Sequence, residues 1–269
     1  MIVTTKSRST LFKDLWHSIR YREYWLYSTW LKMGLQYRKT TLGPIWLMVS
    51  PAMFIIMLGY LFAQVGGRSL AVFVPHLAVG YITWTLVSGI VTNGTTLFHR
   101  RRSELLQGDI RLTDLVLSNF FSTFLQFLHQ IPVIIAVMRW FKIMPTASGV
   151  LMSLFGLCLI VINGIWMIII AGIIGTHYRD LAEIISAFMR LAFFITPIIW
   201  MDDGGAGGLL GAYLIFNPFF HFLDIVRAPL LGDTIMVATW VFVALSTCLG
   251  GIFAAALYRF QARSIAMWV

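Results

Sequence analysis

Across 269 residues the sequence is 59% hydrophobic and only 12% charged, with a mean hydropathy of +0.82, where an ordinary globular domain carries roughly a quarter charged residues. So little charge cannot keep so much apolar surface in water, which excludes a soluble enzyme. The formal charge of +9 would suit nucleic acid, but basic residues concentrated beside apolar runs answer to anionic lipid and topology, so membrane lipid is an expected partner and nucleic acid is not.

The chain opens on residues 1–40, in which Phe12, Leu15, Trp16, Ile19, Tyr24, Trp25, Tyr27, Trp30 and Leu31 alternate with basic residues. The spacing of Phe12, Leu15, Trp16 and Ile19 is helical, and aromatic, basic helices of this kind lie along the headgroup plane. This segment is expected to be a cytoplasmic interfacial stretch with an amphipathic helix, serving as a membrane collar or as a docking element. The first apolar run, 42–63 (LGPIWLMVSPAMFIIMLGYLFA), carries no charge and has Pro44 at its start, where a helix tolerates the missing N–H. No cleavable signal peptide is expected ahead of it, so this first span would act as an uncleaved anchor.

The second run, 70–98, is richer in Gly, Thr and Ser, small residues that let helices in lipid approach closely, and is expected to be buried among other helices. A charged loop, 99–112, follows. Further spans are expected at 115–138, 150–176, 181–200 and 234–257, each near the roughly 20 residues that cross a bilayer. Between the last two, 203–232 is apolar but glycine-rich at its start (Gly204, Gly205, Gly207, Gly208) and broken by Asn217-Pro218 and Pro229. Each half is long enough only to enter and leave the membrane, which favours a re-entrant helical pair over a seventh span.

Positive charge arbitrates, since Lys and Arg near span ends mark the cytoplasmic side. With six spans and the N-terminus inside, the inner set is Lys6, Arg8, Lys13, Arg20, Arg22, Lys32, Arg38, Lys39, Arg100, Arg101, Arg102, Arg111, Arg179, Arg259 and Arg263, and the outer set only Arg68, Arg139, Lys142 and Arg227. A seventh span would move Arg259 and Arg263 outside and weaken the bias. The reading is an all-α integral membrane protein: one permease-like domain of six transmembrane helices, with an N-terminal amphipathic interface helix, a periplasmic re-entrant pair between spans five and six, and both termini cytoplasmic.

Arg190 falls about halfway along span five, where a charge facing lipid is costly, so it is expected to face the bundle interior or water. Glu183, two turns away on the same face, is its structural partner in one reading; contact with an anionic lipid diphosphate or a glycan is the other. Cys158 and Cys248 sit inside apolar runs without the spacing of a metal or redox motif and are expected to be packed thiols. The six histidines, His17, His76, His99, His129, His177 and His221, are scattered, with no pair spaced to bind metal on one helix. No G-x-x-x-x-G-K-[ST] loop occurs, so the chain is not expected to hydrolyse nucleotide by itself.

The segment Gln36 to Pro51, QYRKTTLGPIWLMVSP, joins a basic approach to Leu42-Gly43-Pro44, Trp46 and a second proline. It resembles the start of the first span in permeases of polysaccharide-exporting ABC transporters, the type-two ABC exporters of O-antigen, capsule or teichoic-acid chains. Tyr178-Arg179-Asp180-Leu181 followed by Thr196-Pro197-Ile198-Ile199-Trp200, and then Asn217-Pro218 with Arg227 and Leu230-Leu231-Gly232, look like later segments of that family in the same order. The resemblance implies a homodimeric channel in the bacterial cytoplasmic membrane, driven by two separate ATPase subunits that bind ATP and Mg, with no cofactor or metal held by this chain and no catalytic residues on it.

It further implies that the loop after span two docks on the ATPase through Arg100, Arg101, Arg102, Ser103, Glu104, Leu105 and Asp109, with Arg179 and Asp180 beside it; the arginine run also serves topology. Spans one and five would line the conduit, nominating Trp46, Phe54, Tyr60, Phe188, Arg190, Phe193 and Trp200, since aromatic rings meet sugars with an apolar face and a polar tip. Substrate would enter near the membrane face at Tyr37, Arg38 and Lys39. Asp202 and Asp203 open the periplasmic loop, the re-entrant helices after them would cap the outer end of the channel, and Gly204, Gly205, Gly207 and Gly208 form a hinge there or simply a turn. The competing functions are export of a small lipid or drug, a membrane-embedded glycan or lipid transferase using the group His177, Asp180 and Glu183, and a structural scaffold.

Overall fold

A backbone in lipid must satisfy its own polar groups, and long apolar runs without a sheet partner do so as helices. The computed structural model describes residues 10–38, 41–107, 110–201, 209–262 and 264–268, and every regular element among them is helical. Two helices, α1 (Leu11–Arg20) and α2 (Glu23–Tyr37), precede a single 3-10 turn, Gly43–Ile45, and α3 (Trp46–Val65). Then come α4 (Leu70–Thr95), the short α5 (Leu97–Arg100) and α6 (Arg102–Leu106), α7 (Leu112–Trp140), α8 (Ala147–His177) and α9 (Leu181–Ile195). The chain ends with α10 (Leu209–Phe216), α11 (Pro218–Leu231), α12 (Val237–Gln261) and α13 (Ile265–Trp268).

Among the described residues, five segments are long and apolar enough to cross a bilayer: Gly43–Val65, Leu70–Thr95, Leu112–Trp140, Ala147–His177 and Val237–Gln261. The segment expected as span five differs. Its helix, α9, has 15 residues and is about 22 Å long, short of the roughly 30 Å hydrocarbon core. The cause is Pro197, which holds Thr196 extended (ψ 140°) and ends the helix there. Caps likewise move other ends away from the apolar limits. The Asp114 carboxylate accepts from the Arg111 N–H at 3.2 Å, so α7 starts at Leu112, and the Thr146 hydroxyl accepts from Gly149 N–H at 3.1 Å, so α8 starts at Ala147.

The most buried of the long helices is α4, and α3, α7, α8, α9 and α11 all pack on it. Small residues set its distance from α8: a Cβ on Gly94 would sit 3.2 Å from the Ile168 backbone, and one on Gly172 would sit 3.3 Å from Gly94 O. At the opposite extreme, α3 and α12 turn most of their apolar surface outward. Cys158 and Cys248 are exposed rather than packed, on α8 and α12; in a chain whose surroundings are as apolar as its core, an apolar run does not separate the two sites.

The amphipathic helix α1 is inverted relative to a helix lying on water. Its polar residues Asp14 and Ser18 are buried against the bundle, Asp14 accepting from Tyr258 Oη at 2.9 Å and Ser18 Oγ 2.7 Å from Thr113 Oγ1, while Phe12, Trp16 and Ile19 point out. That outward stripe is the face a headgroup region would receive. At the other pole of the bundle, α11 is interior from Phe220 to Pro229. Asn217 caps it by accepting from the N–H groups of Phe219 and Phe220 at 3.0 and 3.3 Å, and Gly232 (φ 87°) closes it in the left-handed conformation that glycine tolerates.

Candidate functional site

Around α3, α4 and α9 the chain leaves an open groove of about 720 Å³. Phe54, Leu58 and Phe62 of α3 form one wall, Ser186, Met189, Arg190, Phe193 and Phe194 of α9 the other. The floor is α4, which presents Tyr81, Trp84, Thr85, Ser88 and Thr92 at the three- and four-residue spacing of one helix face. Phe54 stacks on Tyr81 with centroids 4.2 Å apart, and Phe193 stands edge-on to both at 6.0 and 6.2 Å. Thr85 Oγ1 lies 2.8 Å from Gln130 Oε1 and Ser186 Oγ donates to Ala182 O at 2.7 Å. The surface is thus a row of ring faces interleaved with hydroxyls and one guanidinium, chemistry suited to a polyhydroxylated chain that must slide rather than stick.

Of the residues expected to line a conduit, the structure brings Phe54, Arg190 and Phe193 together here. Trp200 is adjacent, its Nε1 donating to Phe194 O at 3.0 Å. The others lie elsewhere. Trp46 is exposed at the start of α3, Phe188 points outward 6.1 Å from the Phe219 ring, and Tyr60 lines a separate groove between α3 and α7. Arg190 forms no ion pair among the described residues, with Glu183 or any other acid. Tyr81, Trp84, Thr85, Ser88, Thr92 and Ser186 also line the groove, beyond the residues expected from sequence, where the Ser- and Thr-rich spacing of α4 points only to close helix packing.

The charged hairpin α5–α6 divides its residues between two faces. Arg100, Arg102 and Ser103 are exposed, whereas Leu105 is buried and Arg101 and Glu104 turn inward. Glu104 accepts from Tyr24 Oη at 2.7 Å, Lys32 Nζ at 3.0 Å and Arg101 Nη1 at 2.7 Å, and burial together with that carboxylate pushes the Tyr24 phenol up from its ordinary pKa. Ser118 Oγ continues the network to Thr29 Oγ1 at 2.9 Å. Arg179 and Asp180 are exposed just past α8. The C-terminal α13 packs on both α6 and α8, with His177 and Trp268 rings 4.8 Å apart, so these loops share one end of the bundle. Tyr37 is half-buried, its phenol pushed up by that burial, and Arg38 is exposed. Lys39, Asp109, Asp202, Asp203 and the glycines at 204–208 lie outside the described residues.

Near the N-terminal end of α4, opposite that hairpin, a polar cluster is enclosed in the bundle. Arg227 is 6% exposed, not in an aqueous loop, and donates through Nη1 to Pro197 O at 2.6 Å and His76 Nε2 at 3.0 Å. Gly80 makes room for it, since a Cβ there would stand 3.3 Å from Nη1. One turn away on α11, Asp224 accepts from Thr239 Oγ1 at 3.0 Å, and His221 bridges Thr239 and Ile215 O at 3.0 and 2.9 Å. These contacts tie α11 to α4, α12 and the turn after α9. His76 and His221 serve as polar helix contacts, and no metal-binding group of side chains forms among the described residues.

The chain is 25% identical over 175 residues to two Klebsiella pneumoniae proteins named O-antigen export system permease protein RfbA, a match covering 64% of this chain and 66% of theirs. It thus spans just under two thirds of the length of those relatives. A Myxococcus xanthus protein of the same name is 24% identical over 201 residues, 73% of this chain and 76% of its own. Residues 25–231 match the family described as ABC-2 type transporter. With its apolar helices and a family match over most of its length, the chain is a multi-pass membrane protein that belongs to the ABC-2 type transporter family.

Proposed function

We propose that this chain is the membrane subunit of an ATP-driven exporter that moves a lipid-linked polysaccharide, of the O-antigen kind, across the bacterial inner membrane. The observation that carries the reading is the groove of Phe54, Tyr81, Trp84 and Phe193 with Thr85, Ser88, Thr92, Ser186 and Arg190, open along one side of the chain. Relatives named for O-antigen export support the substrate class. A second copy of the chain closes the groove into a conduit, and Arg190 meets the anionic diphosphate or the glycan there, its lack of an acidic partner among the described residues favouring that role. The chain itself is no enzyme: two separate cytoplasmic ATPase subunits hold ATP and Mg and dock on the exposed Arg100, Arg102, Ser103, Arg179 and Asp180.

Six crossings, with α10 and α11 as the re-entrant pair and both termini cytoplasmic, accompany this reading. The sharing of one end by α1, α6 and α13 supports it, because five crossings would leave the first and last helices on opposite sides. The direct test is co-expression with an ATPase encoded beside this chain, followed by co-purification and an export assay. A stable, ATP-hydrolysing complex in which Phe54→Ala plus Phe193→Ala reduces export at normal membrane levels is the expected result. Failure to associate with the ATPase rejects the exporter assignment, and wild-type export by the double variant rejects this groove as the conduit.

A further inference from the structure

On the side of α3 facing away from the proposed conduit lies a second groove, of about 610 Å³, between α3 and α7 with Val74 of α4 at its floor. Its walls are Met48, Ala52 and Ile56 on one helix and Val133, Ala136 and Trp140 on the other. From Met48 to Tyr60 it follows α3 for twelve residues, or about 18 Å, slightly more than the roughly 15 Å depth of one hydrocarbon leaflet. Small side chains at Ala52 and Ala136 keep it open. An extended peptide there would leave most of its backbone N–H and C=O groups unpartnered, since the side chains lining the groove are apolar apart from the Tyr60 hydroxyl and the Trp140 indole N–H.

At the mouth the chemistry changes sign abruptly. Trp140, 82% exposed, marks a membrane–water boundary. Arg139 falls on the Pro132 edge of the groove face, seven residues and about two turns along α7, and Lys142 follows in a left-handed conformation (φ 57°). Both are exposed, and neither forms an ion pair among the described residues. No acidic residue occurs in α3, α4 or α8, nor in α7 beyond Asp114, so the two cations have no neutralising partner on the elements that flank them.

We propose that this groove is a resident-lipid site that holds one acyl chain of an anionic phospholipid, with Arg139 and Lys142 on its headgroup phosphate. Tyr60 then belongs to a lipid site and not to the export conduit. The site does not depend on what the chain exports, so its test leaves the exporter reading untouched. The full chain is purified in detergent, and the lipid it retains is counted by native mass spectrometry before and after titration with phosphatidylglycerol or phosphatidylcholine. Wild type is expected to keep about one phosphatidylglycerol per chain and to prefer it over phosphatidylcholine by roughly 30-fold, each basic residue contributing a factor of about five.

Ala136→Trp, which fills the groove, should lose the bound lipid, and Arg139→Gln with Lys142→Gln should lose the headgroup preference. A benzoylphenylalanine placed at Ile56 should cross-link to phospholipid, which keeps the test decisive if Ala136→Trp fails to fold. Retention unchanged in Ala136→Trp, equal retention of the two lipids by wild type, or cross-linking to a polyprenyl carrier or to a second copy of the chain would each overturn the proposal.

Discussion

A guanidinium enclosed at membrane depth persists only where fixed acceptors replace its water. Arg227 has Pro197 O and His76 Nε2 as acceptors, and Asp224 one turn away offsets its charge. Removing one member of such a buried set leaves the others uncompensated, a cost of about 3–5 kcal/mol. Arg227→Met is therefore expected to lower both the membrane level of the protein and its melting temperature in detergent. Arg190→Met, at an exposed position without an ion pair among the described residues, should leave melting nearly unchanged and reduce export instead. Equal melting of the two variants would refute the distinction. Nothing local in the sequence separates these arginines, since both lie in apolar surroundings; His76 is 151 residues from Arg227, and only the fold brings them together.

Among the elements, α8 and α11 approach backbone against backbone at two glycines. A Cβ on Gly156 would stand 2.5 Å from Ile225 O, and one on Gly149 would press on Pro229 O. Ser153 lies between them and donates to Val226 O at 2.5 Å. Pro229 has no N–H to offer the carbonyl four residues earlier, so α8 reaches α11 where its own ladder is interrupted. Because backbone cannot yield as a side chain can, Gly156→Leu should cost roughly 1–3 kcal/mol or more, read as lost melting temperature. Gly251→Leu on α12, with open space around it, should stay within about 0.5 kcal/mol of wild type. In α2, Gly34 likewise meets nothing within 4 Å, and Gly34→Ala should stabilise by about 0.5–1 kcal/mol. Which helices exist was legible from apolar runs; where they end was not, because Asp114, Thr146 and Pro197 act through single hydrogen bonds and dihedrals that hydropathy averages away.

For the whole molecule, the division of burial carries the information that composition withholds. The outward apolar surfaces of α3 and α12 and the interior of α4 have similar residue types, and lipid accepts the first as readily as protein accepts the second. The groove face was therefore only partly visible in sequence: Phe54 and Phe193 were nominated by resemblance, while Tyr81 and Trp84 became apparent once α4 was seen between α3 and α9. Sidedness follows from connectivity. α8 ends beside α13 at His177 and Trp268, whereas α12 must start at the far end to bring Tyr258 back to Asp14. On the six-crossing reading, that passage falls within 181–236, and α9 begins it. In a background of Cys158→Ser and Cys248→Ser, single cysteines at Arg102, Arg179 and Met267 should then react with a membrane-impermeant maleimide only after permeabilisation, and one at Met144 should react in intact cells. Labelling of Met267 in intact cells with Arg102 still protected would mean that 181–236 does not cross, and it would require α9, α10 and α11 to share the face of the membrane that holds the charged hairpin.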